Sequence, residues 1–397
     1  MEEKNLAVRA DADRIYWNAF AAFRLGAGAQ RAVLDYFGSA AEAVLAREEE
    51  WQHFFGLAQG LTQRLSFTVA EIERVRAVRQ RNHEEELAAL ESRGIRFVTE
   101  EEEDFPERLR SLYDAPHWLY YLGTLPEECP QLAIVGARRC TPYGGAVARS
   151  IAKALSAHGV GILSGLAYGV DTEAHEGALA GGGKTYAVLG CGVDVCYPES
   201  SRPTYERILS AGGGILSEYP PGTSPLACLF PQRNRIIAGL SDGILVTEAK
   251  KKSGSLITVS FGLEYGKTIY SVPGRITDVV SEGCNYLLRE GAKPVLSAED
   301  ILEDFAGFLA ERKKGKRRRR KEKEEALEHT FTAAEKTVFG CLRPGPKHIE
   351  ELLEETKLLP EELPRVLQSL CQYGCIRRYG QAYYGLSEAK TGSDNWF

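Results

Sequence analysis

The spacing of apolar residues divides the chain into four regions. Over residues 1–85, apolar side chains recur at helical spacing, as in Tyr16, Phe20 and Phe23, which indicates a helical N-terminal domain. Over residues 86–308, short apolar runs alternate with helical patterns. A charged segment at 309–328 follows, and residues 329–388 show three helical patterns and then two short strands.

The central region contains six apolar runs that predict strands, at 132–135, 160–163, 186–189, 214–216, 243–246 and 268–270. Strands without a polar face, separated by helices, require a parallel sheet that is covered on both sides. We therefore predict an α/β fold with a doubly wound, Rossmann-like parallel sheet. Such sheets bind ligands at the carboxyl ends of their strands, where helix N-termini offer free amides to anions.

In the N-terminal domain, Gly26 and Gly28 lie in a turn between two helical patterns. This arrangement is similar to a helix-hairpin-helix unit, whose turn amides can hold a DNA phosphate. It fits a plain helical turn as well, because Arg24 and Arg31 are the only basic residues beside the glycines. Both interpretations stay open at this stage.

The three helices and the hairpin of residues 329–388 predict a winged helix, a variant of the helix-turn-helix. Over 330–387, seven basic and seven acidic residues balance. The expected recognition helix begins with Glu361 and Glu362 and offers only Arg365, which suits a polyanionic groove poorly. Arg377 and Arg378 remain as candidates in the wing. We expect a protein contact or an auxiliary DNA contact instead of sequence-specific binding.

The charge distribution does not exclude a nucleic-acid partner. The chain has a net charge of −6, from 49 basic and 55 acidic residues, but residues 311–323 hold ten basic and two acidic residues. This basic tract is either a second, tethered DNA contact or a solvated linker. Partner arguments must therefore be made segment by segment.

The cysteines and the hydropathy indicate a cytoplasmic protein. The nine cysteines form no CxxC or Cys/His cluster with the spacing of a zinc site, so we expect buried thiols in a reducing compartment. No run approaches the ~20 apolar residues of a membrane span, and the N-terminus lacks an apolar signal segment. We expect no metal and no other cofactor.

Basic and aromatic residues cluster after the predicted strands. Arg138 follows the first strand, Tyr168 the second and Tyr197 the third, and two basic runs come later, at 230–235 and 250–255. Arginine beside an aromatic ring suits single-stranded nucleic acid, because cations follow the backbone while rings stack on unpaired bases. The alternative is that these turns only shape the fold.

Three other motifs do not meet their chemical requirements. The run GGGKT at 181–185 lacks the earlier glycine of a Walker loop, and its lysine precedes a strand instead of opening a helix. Gly136 lacks the further glycines of the dinucleotide fingerprint. Asp171 and His175 are spaced for acid–base chemistry, but no nucleophile accompanies them. We expect Asp171 to cap its helix and His175 to pack beneath the turn.

Several segments, in order, resemble the DNA-processing (DprA/Smf) family across about residues 104–296: FPERLRSLYDAPHWLYYLG, LAIVGARRCTPYG, LSGLAYGVDTEAHEGAL, YAVLGCGVDVCYP, the long run from GGILSEYPPG to KKKSGSLIT, and SVPGRI. The resemblance implies an extended Rossmann domain, with a sterile-alpha-motif-like N-terminal domain and a winged helix at the ends. It further implies a dimeric protein without catalytic activity. Such a protein binds and protects single-stranded DNA without sequence preference and loads a RecA-type recombinase in natural transformation.

The resemblance also implies DNA-binding residues. Arg138 matches the phosphate-binding arginine of the family, and the turn after the second strand supplies amides. The remaining matches lie in three later segments, and the lysine among 250–252 that contacts DNA is left open. YPESS replaces the usual YPxxN, which weakens a stacking role for Tyr205. The candidates are Arg138, Ser164, Gly165, Arg202, Tyr205, Arg233, Asn234, Arg235, Lys252, Ser253 and Gly254.

Two alternatives belong to other functional classes. One is a phosphoribohydrolase-like, nucleotide-processing enzyme on a related Rossmann-type fold. That family has a PGGxGT-type segment, where this chain reads KKSGSLIT. The other is a transcriptional repressor that reads duplex DNA through the winged helix.

Overall fold

The computed structural model describes residues 13–61, 67–309, 332–343, 345–372, 375–379 and 382–386. The chain divides into a large compact unit over Lys4–Leu309 and a small unit that contains Ala310–Phe397. The basic tract at 311–323 lies outside the described residues, so its two interpretations stay open.

The large unit begins with a helical region, as the sequence predicts. Helical residues 13–21 precede five helices: α1 (Ala27–Phe37), α2 (Ala40–Leu45), α3 (Glu48–Leu61), α4 (Val69–Arg79) and α5 (His83–Ser92). Side-chain caps fix several starts, because Ser39, Thr68 and Asn82 each accept a hydrogen bond from an amide of the following helix. Gly26 is the N-cap of α1, and Gly28 lies inside that helix.

Nine strands form one sheet. Their bounds are β1 (Arg96–Thr99), β2 (Trp118–Gly123), β3 (Gln131–Val135), β4 (Gly161–Ser164), β5 (Thr185–Val188), β6 (Gly214–Ser217), β7 (Gly243–Val246), β8 (Thr268–Ser271) and β9 (Lys293–Pro294). The order is β1-β2-β6-β5-β4-β3-β7-β8-β9. The seven strands from β6 to β9 in this order are parallel, while β2 pairs antiparallel with β6 and β1 with β2. The predicted parallel sheet is confirmed, and its antiparallel edge is an addition.

Helices cover both faces of the sheet. They are α6 (Glu107–Arg110), α7 (Pro142–Ala157), α8 (Val170–Ala180), α9 (Arg202–Ser210), α10 (Leu229–Leu240), α11 (Ser255–Glu264) and α12 (Glu282–Arg289). Alternate residues of a strand face opposite sides. On β3, Leu132 and Ile134 pack with residues of α7 and α8, whereas Ala133 and Val135 pack with residues of α10. The doubly wound arrangement follows from this alternation.

The helical N-terminal region shares a core with the sheet. The ring of Phe20 meets Trp118 of β2 edge to face, with 6.1 Å between ring centroids, and Trp17 lies 5.9 Å from the same ring. Beside them, the hydroxyl of Tyr120 donates a hydrogen bond to Asn18 Oδ1 at 2.7 Å. The N-terminal helices are therefore packed against the β2 side of the sheet within one compact unit.

The small unit has the element order α13 (Ala333–Cys341), β10 (Lys347–His348), α14 (Ile349–Thr356), α15 (Leu363–Gln372), β11 (Ile376–Tyr379) and β12 (Tyr383–Leu386). Its three strands form an antiparallel sheet in the order β10-β12-β11. Val338, Leu352, Leu367 and Ile376 are among the residues of its core. This order is the one expected of a winged helix, and that assignment stays a prediction.

The cysteines form no disulfide. Five are buried, as expected of structural thiols, namely Cys129, Cys191, Cys196, Cys284 and Cys375, whereas Cys228 beside α10 is exposed. Within the described ranges, the model contains no helix of the length and apolar character that a membrane crossing requires.

We predict that Phe20→Ala destabilises the large unit by about 3–5 kcal/mol, because it leaves a cavity between the N-terminal helices and β2. Phe20 is only 1% exposed. Chemical denaturation measures the change, and Leu45→Ala is the control, since Leu45 is 65% exposed and its truncation should alter stability by about 0.5 kcal/mol or less. Equal effects of the two substitutions would contradict the shared core.

Candidate nucleic-acid interface

A cavity opens where the strand order of the sheet reverses. The chain runs outward from β3 through β4, β5 and β6, and then returns to place β7 on the other side of β3. Doubly wound sheets bind ligands in the crevice at this position. Here the crevice is a cavity of about 430 Å³, which we call the switch-point cavity; its lining includes Gly136, Arg138, Arg139, Asp171, Ala227, Phe230, Arg233, Asn234, Lys250, Lys252, Ser253 and Gly254.

Four exposed cations line the switch-point cavity: Arg138, Arg139, Lys250 and Lys252. Across the described residues, none of the four has a carboxylate oxygen within 4 Å. Lys251 is exposed in the same run but does not line the cavity. The geometry thus distinguishes Lys250 and Lys252 from Lys251 among the three lysines that the sequence leaves open.

Aromatic rings extend from these cations. The guanidinium carbon of Arg138 lies 5.4 Å from the ring centroid of Phe230. Phe230 in turn stacks on Tyr197, with centroids 5.6 Å apart and planes at 29°. Tyr197 is 43% exposed, so part of this residue is accessible to a ligand. A cation beside an accessible ring is the combination that receives a phosphate and an unstacked base.

Arg233 forms the inner wall of the cavity and is only 5% exposed. Its Nη1 donates hydrogen bonds to the carbonyl of Gly165, at 3.0 Å, and to that of Val188. Burial lowers the pKa of its guanidinium, and the charge of Asp171 opposes this effect. Arg233 therefore ties α10 to the ends of β4 and β5, and its bonding capacity is largely used inside the protein.

Two amides of the turn after β4 are already bonded within the protein. The carboxylate of Asp171 accepts the amide of Gly165 at 3.1 Å and that of Ala167 at 3.4 Å. The hydroxyl of Ser164 is buried and donates to the carbonyl of Ile134 at 2.6 Å. Internal partners thus occupy the groups that sequence reasoning assigned to phosphate binding.

The N-terminus of α7 is occupied as well. The carboxylate of Glu248 accepts hydrogen bonds from the backbone amide of Thr141, at 2.8 Å, and from its hydroxyl, at 2.5 Å. Glu248 is 3% exposed. A protein carboxylate therefore lies where the sequence predicts a phosphate at this helix.

Asn234, Ser253 and Gly254 form the opposite wall. Asn234 Nδ2 donates to the carbonyl of Gly254 at 3.4 Å, and its Oδ1 accepts from Arg233 Nε at 3.2 Å. The hydroxyls of Ser253 and Ser255 lie 2.8 Å apart just before α11. Asn234 therefore links this turn to Arg233.

Three further candidates do not line the cavity. Arg235 Nη2 pairs with Glu218 Oε1 at 2.5 Å, and its side chain is 12% exposed. Arg202, the first residue of α9, pairs at 3.3 Å with Glu199 of the preceding turn. The ring of Tyr205 is 6% exposed, and its hydroxyl donates to the carbonyl of Val193 at 2.6 Å. In this conformation Tyr205 has no exposed face on which a base could stack.

Sequence reasoning did not select Arg139, Phe230 or Lys250 as site residues. Arg139 and Lys250 adjoin selected cations, so loop geometry alone decides which of them face the cavity. Phe230 lies three residues before Arg233 on α10, and this helical spacing places the two side chains on one side of the helix. That spacing is the signal that could have identified Phe230.

Asp171 and His175 have structural environments. The N-cap of α8 is Gly169, so the expectation that Asp171 caps this helix is wrong: its carboxylate reaches back to the preceding loop. His175 is fully buried, as expected, and its Nδ1 lies 2.7 Å from the hydroxyl of Thr185. Burial, followed by the charge of Arg233, lowers the pKa of His175 to about 3.

Comparison with known proteins identifies the family. The model of the family described as DNA recombination-mediator protein A matches residues 96–306, which is more than half of the chain. The chain belongs to this family. The match spans the sheet from β1 to β9 and all loops of the switch-point cavity.

Curated members of the DNA recombination-mediator protein A family have similar sequences. DNA processing protein DprA of Streptococcus pneumoniae is 46% identical over 202 residues, which are 51% of this chain and 71% of the relative. Protein Smf of Escherichia coli is 37% identical over 244 residues, 61% of this chain and 65% of the relative. The X-ray structure of the Streptococcus pneumoniae protein aligns with a TM-score of 0.59 at 34% identity and covers 73% of this chain and 98% of that one.

We predict that His175 makes the protein acid-sensitive. The unfolded chain binds a proton on this histidine below about pH 6.5, whereas the folded protein binds it only near pH 3, so the stabilisation is complete above pH 6.5 and declines as the pH falls. The expected slope is about 1.4 kcal/mol per pH unit. Denaturation of the parent and of His175→Asn between pH 7 and about pH 4.5 measures it.

The variant should lose this one-proton slope, even if it is less stable at every pH. His158→Asn is the control, because His158 is an exposed histidine on the same unit. A parent and a His175 variant with equal pH slopes would show that His175 is not held neutral by burial.

Proposed function

We propose that this chain binds single-stranded DNA without sequence preference in the switch-point cavity. The observation that supports this is the set of four exposed cations that have no carboxylate partner among the described residues, beside the stack of Arg138, Phe230 and Tyr197. Cations follow the phosphates of a strand, and rings stack on its bases. Because every base has a π face, this mode of contact needs no particular sequence.

A single strand fits these groups better than a duplex does. In a duplex the bases are stacked inside the helix and present only their edges in the grooves. The exposed part of Tyr197 would then have no unstacked base to contact. Acidic residues at 100–104 and the net charge of −6 also oppose the wrapping of a duplex around the surface. On this proposal, DNA contacts only a small area of the protein surface.

Family membership, together with this binding mode, supports a proposal for the biological role. The protein protects single-stranded DNA and helps to load a RecA-type recombinase, in natural transformation or in other recombination. It acts as a homodimer through the Rossmann-like domain at 86–308. We also propose the domain bounds given by the sequence: a helical domain at 1–85, a basic linker at 309–328 and a winged helix at 329–388.

Binding, and not catalysis, is the activity that we assign to the site. Asp171 accepts two backbone amides, and His175 is buried with its pKa held at about 3. A general base at neutral pH needs a pKa near 7 and contact with its substrate. These two residues are therefore poor support for the alternative of a nucleotide-processing enzyme.

We predict that Arg138→Ala combined with Lys252→Ala weakens binding to single-stranded DNA and reduces its dependence on salt. Each phosphate that a cation no longer neutralises lowers the slope of log affinity against log salt by about 0.7, so the slope of the double variant should be smaller by about 1.4. Fluorescence anisotropy across a salt series measures both quantities. Lys251→Ala is the matched control, since Lys251 does not line the cavity.

The proposal is wrong if the folded double variant binds as the parent does, or if Lys251→Ala is equally impaired. Preference for duplex DNA with a sequence-specific footprint would favour the repressor alternative. Release of free base from nucleotides by the purified protein would favour the enzyme.

We predict that Tyr197→Ala weakens single-strand binding with little change in the salt slope, because a ring contributes stacking and no charge. The loss of one stacked base is about 1–3 kcal/mol, or roughly 5- to 150-fold in affinity. Tyr143→Ala is the control: Tyr143 is 59% exposed but lines a different cavity, whereas Tyr197 stacks on Phe230 of the switch-point cavity. Unchanged binding by the Tyr197 variant would remove the stacking contact from the proposal.

A further inference from the structure

A second cationic cavity lies between the N-terminal helices and the sheet, within the large unit. It has a volume of about 460 Å³, and its lining includes Arg24, Arg74, Arg81 and Arg93. We call these four residues the arginine cluster. They come from the end of the first helical stretch, from α4, and from the segments that follow α4 and α5.

The carboxylates at this cavity neutralise only half of the cluster. Arg81 pairs with Glu86 at 3.2 Å, and Arg93 pairs with Asp194 at 2.5 Å. Neither Arg24 nor Arg74 has a carboxylate oxygen within 4 Å in the described part of the chain. Burial and the neighbouring charges of Arg74 and Arg81 lower the pKa of Arg24. The four arginines of the cluster therefore lie close together with only two paired carboxylates, which leaves two positive charges in excess.

The backbone of Arg24 supports a role for its side chain. Its φ is +52°, in the left-handed region, at a position after a helix where glycine is favoured. A residue with a Cβ is disfavoured there by roughly 1–2 kcal/mol. Glycine at this position would avoid this cost. Strain of this kind is a pointer to a functional side chain.

One loop connects the arginine cluster with the switch-point cavity. Pro220 and Pro221 line the second cavity, and Ala227 and Phe230 line the first. The six residue-to-residue steps from Pro221 to Ala227 span at most about 22 Å even when the segment is fully extended. The two cavities therefore lie within reach of one short, extended ligand.

We propose that the arginine cluster binds a phosphate group, and that in the DNA complex this group is a backbone phosphate of the strand that occupies the switch-point cavity. The guanidinium groups of Arg24 and Arg74 supply the unneutralised charge, and their planar donors match the oxygens of a phosphate. The DNA part of this proposal rests on the proposed function, whereas the phosphate site does not.

The first experiment tests the site with inorganic phosphate, followed by its ³¹P NMR linewidth. The parent should broaden the signal through the cluster, and the double variant Arg24→Gly with Arg74→Ala should broaden it less. Arg24→Gly alone should leave the melting temperature unchanged or raise it, because it relieves the strained φ. Arg76→Ala is the matched control, since Arg76 lies on α4 but pairs with Glu48 and does not line the cavity.

The second experiment uses oligothymidylates of increasing length. For the parent, affinity should rise with length until a strand reaches both cavities. The double variant should bind the shortest strands as the parent does, and bind long strands about tenfold or more weakly, with a salt slope lower by about 0.7 for each phosphate that the cluster no longer binds. Arg138→Ala with Lys252→Ala should instead weaken strands of every length.

The outcomes separate the two proposals. If the parent binds DNA but the double variant matches it on long strands and on inorganic phosphate, the arginine cluster is not a phosphate site and the proposed function stands. If the parent does not bind DNA but binds phosphate through Arg24 and Arg74, the cluster serves a free phosphate compound and the proposed function fails. If the double variant no longer binds inorganic phosphate but binds long strands with the affinity of the parent, one strand does not occupy both cavities, and that part of the proposal is wrong.

Discussion

The buried guanidinium of Arg233 is the interaction on which the site depends. A cation at 5% exposure requires partners that replace water, and Arg233 finds them in the carbonyls of Gly165 and Val188 and in the charge of Asp171. Because these groups belong to the ends of β4 and β5 and to α8, one side chain links α10 to two strands and a helix, in addition to the apolar contacts that Ile236 and Ile237 make in the core. The ring of Phe230 lies on the same helix.

Some charged groups at the site therefore bond within the protein, and others remain exposed to a ligand. Asp171 and Glu248 saturate backbone amides at the strand ends, and Arg233 saturates carbonyls, so the anion-binding amides expected of this fold are used for internal order. What remains for a ligand is the set of flexible cations on the loops, together with the exposed ring of Tyr197. Side chains of this kind can follow a strand of variable sequence, which fixed amides would restrict to one phosphate position.

The sequence predicts the sheet well, because strands buried on both faces are apolar throughout and easy to recognise. It misses β1 and β2, whose antiparallel pairing depends on contacts with distant β6. Of the residues predicted to contact DNA, the structure places Arg138 and Lys252 at the cavity as exposed side chains, whereas Arg233 and Tyr205 are buried. Their burial depends on which side of α10 and α9 meets the core, and a motif written as a list of residues does not include that orientation.

The same argument explains how an acidic chain can hold a polyanion. Many of its arginines and lysines are neutralised where they lie: Arg149 pairs with Glu173, Arg207 with Glu176, and Lys293 with Asp304. Such pairs cancel at a distance, since exposed charges are screened beyond about 10 Å. In the described part of the chain, six cations without a carboxylate oxygen within 4 Å line two cavities that are joined by one loop: Arg138, Arg139, Lys250 and Lys252 at one, and Arg24 and Arg74 at the other. Net charge therefore describes the whole surface, whereas the path of a strand is set by the local excess along that loop.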